Sequence, residues 1–330
     1  MRSDSAIAGS IFAGALAVRV LHLQQVVQND PFYLRPTVDS LAYHEWGSRL
    51  AAGDWLGSEP FFMSPLYGYG LGALFAVTGP SHFWPLVLNV VLGAATCAIV
   101  YSLSCRLFGR AVALVAAGLV AFYGMALFYE GSVLVESTQM FLTAAIALSA
   151  VRALEEPGAR RFAWLGGLVG LSILARENTL LFALPFAACA YFALSGRLEP
   201  RRRAGLVALF AAVAALCVLP ATVRNWAASH DLVLVNSTGG IVLYTGWNPE
   251  ANGVYTVPSL FPRALADDPV EQKDAYRWLA EQRTGERPLA ASQVSSYWRD
   301  QAVSFVREHP ARAIALALWK ARLFWSAFEA

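Results

Sequence analysis

The sequence predicts an all-α polytopic membrane protein, a bundle of about eight spanning helices with a long first external loop holding interfacial helices and a small external α/β or irregular cap. Three observations carry the fold class. Of the 330 residues, 57% are hydrophobic and only 15% are charged, a balance too apolar for a water-soluble domain of this size. Mean hydropathy is +0.47. Apolar runs long enough to cross ~30 Å of hydrocarbon recur along the chain, and arginines gather between alternate pairs of them. The lipid bilayer is therefore the first partner. A net charge of +2, scattered between apolar runs, offers no basic stripe to follow a nucleic-acid backbone, so no nucleic-acid partner is assigned.

The first run, Ser5 to Val27, carries Arg19 and His22 near its far end and lacks a small-residue cleavage site, so it reads as a retained anchor. A long external loop follows, from about Gln28 to Ser81. Within it, Pro65 to Gly79 is apolar but short, glycine-rich and bounded by proline, which suits an interfacial helix better than a span. Further runs extend over His82 to Cys105, Ala111 to Tyr129, Gly131 to Val151, Phe162 to Ala175, Asn178 to Gly196 and Ala204 to Val223. Leaving Pro65 to Gly79 at the interface puts Arg2, Arg106, Arg110, Arg152, Arg160, Arg161, Arg197, Arg201, Arg202 and Arg203 on the cytoplasmic side. Arg35, Arg49, Arg176 and Arg224 then fall on the other, the bias that the positive-inside rule requires.

Three regions follow from this layout: a membrane module over 1–224, an external cap over 225–312, and the start of a last helix over 313–330, short enough to suggest truncation. In the cap, STGG (Ser237 to Gly240) and WNPEANG (Trp247 to Gly253) carry turn chemistry, so short strands or turns are expected before helical patterning begins near Pro269.

Cys97, Cys105, Cys189 and Cys217 lie in apolar runs without CxxC spacing and read as small core residues. The histidines are isolated in sequence and form no metal-binding pattern, so no metal is assigned.

Ionisable groups in or beside spans are costly and invite a functional reading. Asp39, Glu136, the Arg176–Glu177 pair and Arg224 all fall on the external side of this topology. Helical spacing puts Asp39, Tyr43 and Trp46 on one face. Arginine suits an anionic phosphate because its planar fork donates two parallel hydrogen bonds. Each residue also has a plainer reading: Asp39 as a helix cap, Glu136 as a structural glutamate, Arg176, Glu177 and Arg224 as charges wetting the interface. Glu130 is read as a solvated loop residue.

Several stretches together carry a family likeness. They are Asp39-Ser40 with Tyr43 and GDW (Gly53 to Trp55), MSPLYGYGLGALFAVTG (Met63 to Gly79), RLFGR (Arg106 to Arg110), Glu136, ARENTLLFALP (Ala175 to Pro185), and RNW with NSTGGIVLYTGWNPEANG (Arg224 to Gly253). In order and spacing the chain resembles the GT-C superfamily of glycosyltransferases, specifically bacterial relatives of protein O-mannosyltransferases and aminoarabinose transferases. The resemblance implies a hexosyl or pentosyl transferase of the bacterial inner (plasma) membrane, working at its external, periplasmic face. Its donor would be a polyprenyl-phosphate-linked sugar, its acceptor a glycan, lipid or protein, and its course inverting. It implies Asp39 as general base, Glu136 as a catalytic group orienting the acceptor or Asp39, Arg176 and Arg224 as donor-phosphate ligands, and Tyr43, Trp46, Glu177, Tyr244, Trp247 and Asn248 as substrate lining. Ser40 stands where relatives often carry a second acid, which disfavours a divalent cofactor such as Mg or Mn. The alternatives are a transporter or flippase-like protein, against which no internal repeat and charges near one face both speak, and a noncatalytic scaffold with a binding cap.

Overall fold

The computed structural model describes residues 2–261 and 269–326; the part of the expected cap at 262–268 and the last residues of the expected final helix, 327–330, lie outside them. The regular structure is entirely helical among the described residues, and the chain divides into two compact units.

The first unit comprises Met1–Trp55 and Ser64–Ala221. Its helices are α1 (Arg2–Asn29), α2 (Val38–Ala51), α3 (Pro65–Thr78), α4 (Phe83–Phe108), α5 (Arg110–Ala121), α6 (Gly124–Glu130), α7 (Glu136–Glu155), α8 (Ala159–Ala175), α9 (Leu180–Ala193) and most of α10 (Pro200–Ser229), with a 3-10 turn over Glu177–Thr179. Among the described residues four helices, α1, α4, α7 and α10, are long and apolar enough to cross a membrane, or five if α5 and α6, bent by 48° at their junction, form one broken span. About eight crossings were expected; the difference lies in the shorter α8, α9 and α14, which fall below the ~20 residues a full crossing takes.

Helix α4 is the hub. It packs against α1, α5 and α7 through residues that return every three or four positions, including Leu86, Val90, Ala94, Cys97 and Tyr101, which makes one continuous buried face. Of the four cysteines, Cys97 joins this core as expected, whereas Cys189 faces outward from α9.

Deep in this packing lies an ion pair. The Arg19 Nε of α1 sits 2.9 Å from Glu130 Oε2 at the end of α6, and both side chains are fully buried. Arg19 Nη1 also donates to the Ala15 carbonyl at 3.4 Å and the Ala121 carbonyl at 3.3 Å, the latter at the bend between α5 and α6. Glu130, expected as a solvated loop residue, is thus a core residue. Its partner lies far away in sequence, and a charge this deep is tolerable only when paired. Gly93 of α4 makes room for the pair, because a Cβ there would meet the Glu130 carboxylate and come within 2.6 Å of Arg19 Nε.

Helices α2 and α3 close on each other through glycine. A Cβ on Gly72 would lie 2.6 Å from that of Leu50, and one on Gly68 would lie 2.5 Å from the Trp46 ring. The α3 helix has the bounds expected for the interfacial segment. Small residues also seat α8 on α10, where a Cβ on Gly170 would approach the Ala214 carbonyl to 2.8 Å.

The ends of the unit differ in charge. At one end Asp4 pairs with Arg110 at 2.7 Å and Glu155 pairs with Arg106. Arg197 reaches the Leu154 carbonyl at the same end. The carboxylates of Asp39 and Glu136 stand at the opposite end.

The second unit comprises Leu56–Met63 and Thr222–Ala330, with α11 (Gly239–Gly246), α12 (Pro269–Thr284), α13 (Ala291–Glu308) and α14 (Pro310–Phe324). The short segment before α3 is drawn into it by Asn225, whose Oδ1 accepts from the Phe61 amide at 3.0 Å, and by Glu59, which binds Lys273 and Arg277 at 2.7 Å each. Its core gathers around the fully buried Trp298, with the Tyr244 ring at 4.6 Å and the Tyr276 ring at 5.0 Å. The expected strands or turns over STGG give way to helix. Ile241 and Tyr244 bury on one side of α11 while the missing side chain of Gly240 lets α11 press onto the α13 backbone at Ser295.

Because the interior pair is compensated, Arg19→Met alone should destabilise the protein by about 3–5 kcal/mol, and the double variant R19M/E130L should recover most of that loss. Denaturant unfolding in detergent micelles reads both; a double variant no better than the single one refutes the pairing.

Candidate active site

Asp39 enters in the first turn of α2. Its N-cap is Thr37, so Asp39 is not the capping residue, although a carboxylate this close to a helix N-terminus is electrostatically favoured. The preceding residue, Val38, has φ of 51°, a left-handed conformation that is unfavourable for a β-branched side chain. Strained backbone thus delivers the acid into the site.

A hollow of about 420 Å³ opens there, lined by Asp30, Asp39, Ser40, Leu86, Tyr129, Ser132 and Glu136 among others. Its wall is the connection between α6 and α7. Asn89 of α4, fully buried, fixes this wall by donating from Nδ2 to the Ser132 carbonyl at 2.8 Å. Three residues beyond Val133, Glu136 begins α7 and pairs through Oε1 with Arg176 Nη2, from the residue that caps α8. The structure therefore brings Asp39, Glu136 and Arg176 to one end of the first unit.

Asp39 lies on the exposed side of α2, partly enclosed by the walls of the hollow. That partial burial raises its carboxyl above the ordinary carboxylate range; the Glu136 charge raises it further, while Arg176 pulls it down. Its basic form is thus lost, as pH falls, earlier than that of a free aspartate. Tyr43 follows one turn later and is almost wholly buried; it stacks near Trp46 at 6.3 Å and meets the Tyr67 ring edge-on at 5.1 Å. Burial pushes the Tyr43 phenol up, so it remains a neutral donor. Asp39, Tyr43 and Trp46 do share a helix face, and Tyr43 fixes that face against α3.

Polar groups overlooked in the sequence hold the Arg176 turn. Gln139, one turn along α7 from Glu136, donates to Ser172 Oγ at 2.9 Å and to Thr179 Oγ1 at 3.3 Å. Glu177 Oε2 accepts from Ser64 Oγ at 2.9 Å, which ties the turn to the start of α3. Gln139 was detectable by its helical spacing from Glu136; its partners needed the fold. His44 and His82, isolated in sequence, stack at 4.2 Å, and burial followed by the neighbouring His82 holds His44 below its usual range.

The remaining candidates belong to the second unit. Arg224 donates from Nη1 to the Glu59 carbonyl at 2.6 Å and lies 4.0 Å over the Phe61 ring, so its guanidinium is engaged in holding the Leu56–Met63 segment. Tyr244, expected to line the substrate, sits in the Trp298 core instead. Asn248, also expected there, is buried and spends its amide on the Tyr244 and Thr245 carbonyls, closing the turn after α11. Trp247 packs on that core with the Lys320 ammonium 4.5 Å from its ring. Packing of apolar and turn-forming side chains accounts for all three. No cluster of three His, Cys, Asp or Glu side chains able to hold a metal occurs among the described residues.

Glu136→Gln should lower the Asp39 pKa, because it deletes a negative neighbour, and Arg176→Gln should raise it. Infrared titration of the Asp39 carboxyl against pH tests both signs, and equal titrations in the three proteins would refute the electrostatic coupling.

Residues 59–223, half of the chain, match the family model described as dolichyl-phosphate-mannose-protein mannosyltransferase. Glu136, Arg176 and Glu177 lie within the match, and Asp39 and Arg224 lie outside it. No curated protein and no solved structure matches the chain.

Proposed function

Since the chain belongs to the dolichyl-phosphate-mannose-protein mannosyltransferase family, integral membrane glycosyltransferases of GT-C type, we propose that it transfers a sugar from a polyprenyl-phosphate carrier to a hydroxyl acceptor, with inversion, at the external face of a bacterial inner membrane. The observation that carries this reading is the continuity of Asp39, Glu136 and Arg176: two carboxylates line one hollow, and the second is paired to an arginine.

Each group then has a task. Asp39 takes the proton from the acceptor hydroxyl as its oxygen attacks the anomeric carbon. The bond from that carbon to the phosphate oxygen breaks on the opposite side, and the phosphate leaves with the electron pair. Arg176, poised beside Glu136, neutralises the departing charge. Glu136 serves twice: it orients Arg176, and its charge keeps Asp39 a stronger base. Tyr43 and Trp46 shape the α2 side of the site. Arg224 is left to structure, since its donors already hold the Glu59 segment.

Sidedness follows from charge. The end of the first unit that carries Arg106, Arg110 and Arg197 suits the cytoplasm by the positive-inside rule, so the Asp39 end faces outward.

Asp39→Asn should insert into membranes normally and lose transfer by about 10²–10⁴-fold, the usual worth of a general base. Radiolabelled sugar transfer from a polyprenyl-phosphate donor in proteoliposomes is the assay; near-normal turnover by this variant would reject Asp39 as the base.

A further inference from the structure

Beside the Asp39 hollow two histidines meet face to face. His44 follows Asp39 on α2, and His82 stands at the head of α4; their rings lie 4.2 Å apart and within 15° of parallel. The Phe75 ring of α3 closes on His44 at 5.2 Å. Tyr33, itself part of the lining of the hollow, meets the His82 ring at 6.4 Å. The stack therefore joins the helix that carries Asp39 to the head of the helix that supports the opposite wall. Along α4 from His82, Leu86 lines the hollow and Asn89 then holds the Ser132 carbonyl.

Two polar atoms of the stack are left over. Nε2 of His44 and Nδ1 of His82 are both buried, and neither has a hydrogen-bond partner among the described residues. A neutral imidazole can tolerate this, since one of its nitrogens is only an acceptor. An imidazolium cannot, because both of its nitrogens carry N–H and a buried donor without a partner is costly. A second proton on the pair would also set two like charges face to face.

The surroundings do not offset such a charge. The neighbouring stretch before α2 carries Asp30, Tyr33 and Arg35, and α2 itself carries Asp39, Glu45 and Arg49. The titratable side chains of α3 are Tyr67 and Tyr69, and α4 has no charged residue before Arg106. Burial, and then the charge of His82, hold His44 below the ordinary histidine range, and no carboxylate acts against them. Parting the rings admits water, so His44 then takes its proton near the ordinary value of about 6.5, whereas stacked His44 takes it only at lower pH. The parted state binds more protons in that window. The stack is thus favoured above it and loses favour as pH falls through it.

We propose that the neutral His44–His82 stack is the joint that positions α2 against the head of α4, and that charging the pair in acid parts the two helices and draws Asp39 away from Glu136. Both histidines are positioning residues, acting through the walls of the hollow. The effect on turnover rests on the proposed transferase reading; the joint itself does not.

Two measurements test it. Nitroxide labels at Glu45→Cys and Trp84→Cys, on exposed positions of α2 and α4, are placed in protein whose native cysteines are replaced by alanine. In proteoliposomes the distance between them should lengthen from about pH 7.5 to about pH 5 and return when the pH is restored. The labelled His44→Phe/His82→Phe protein keeps two stacked rings that cannot be charged, and its distance should stay short at both. A constant distance in the protein with both histidines, or equal lengthening in the double variant, would overturn the joint. In the transfer assay, protonation of Asp39 alone lowers the rate by at most about tenfold per pH unit. With both histidines present the fall below about pH 6 should be steeper than that, and in the double variant it should return to the one-proton slope. Identical acid limbs sink the proposal and spare the transferase reading. Reversible, histidine-dependent lengthening without transfer from any polyprenyl-phosphate donor does the reverse.

Discussion

A single buried ion pair sets the geometry on which the site is built. Arg19 and Glu130 meet where α1, α4 and the bent α5–α6 segment converge, both side chains fully buried. Neither can leave without exposing the other, so the pair fixes the end of α6 relative to α1. The connection to α7 begins at the next residue. Asn89 then fixes the Ser132 carbonyl, and within four further residues the chain presents Glu136. The wall of the Asp39 hollow is therefore positioned from beneath by interior electrostatics. Gly93 belongs to this device as much as the charges do, since a side chain there would occupy the space in which they meet.

The site above it separates charge instead of cancelling it. Glu136 stands between an acid that needs to remain basic and an arginine suited to an anion, and interacts with both. A lone aspartate at the mouth of the hollow would be a weaker base. A lone arginine would pull that carboxyl further down. Placing a second carboxylate between them strengthens the base and holds the cation in position, at the cost of a local excess of negative charge that Gln139, Ser172 and Thr179 help to stabilise by fixing the turn that carries Arg176.

Much of this was legible in the residues. The all-helical membrane class follows from composition, α3 from its length and bounding prolines, and the shared face of Asp39, Tyr43 and Trp46 from helical spacing. The pairing of Glu136 with Arg176 was foreshadowed by two charges beside apolar runs that had no reason to face lipid. What escaped the sequence depends on partners distant along the chain. Glu130 sits in a FYEGS stretch that looks like a wet turn, and only Arg19 reveals it as interior. STGG carries turn chemistry, yet the glycine there serves close approach of α11 to α13. Tyr244 and Asn248 resemble site residues by type, and are claimed by a core and a turn that spacing alone does not announce.

The order in which the chain is made gives the interior pair a further consequence. Arg19 is synthesised 111 residues before Glu130. At ~5–20 residues per second, the first helix carries an uncompensated guanidinium for on the order of 6–20 s. An arginine costs about 2.5–3.5 kcal/mol at a helix centre on insertion scales, and less toward an end. The first helix therefore gains the partner of its interior charge only when the third apolar segment arrives.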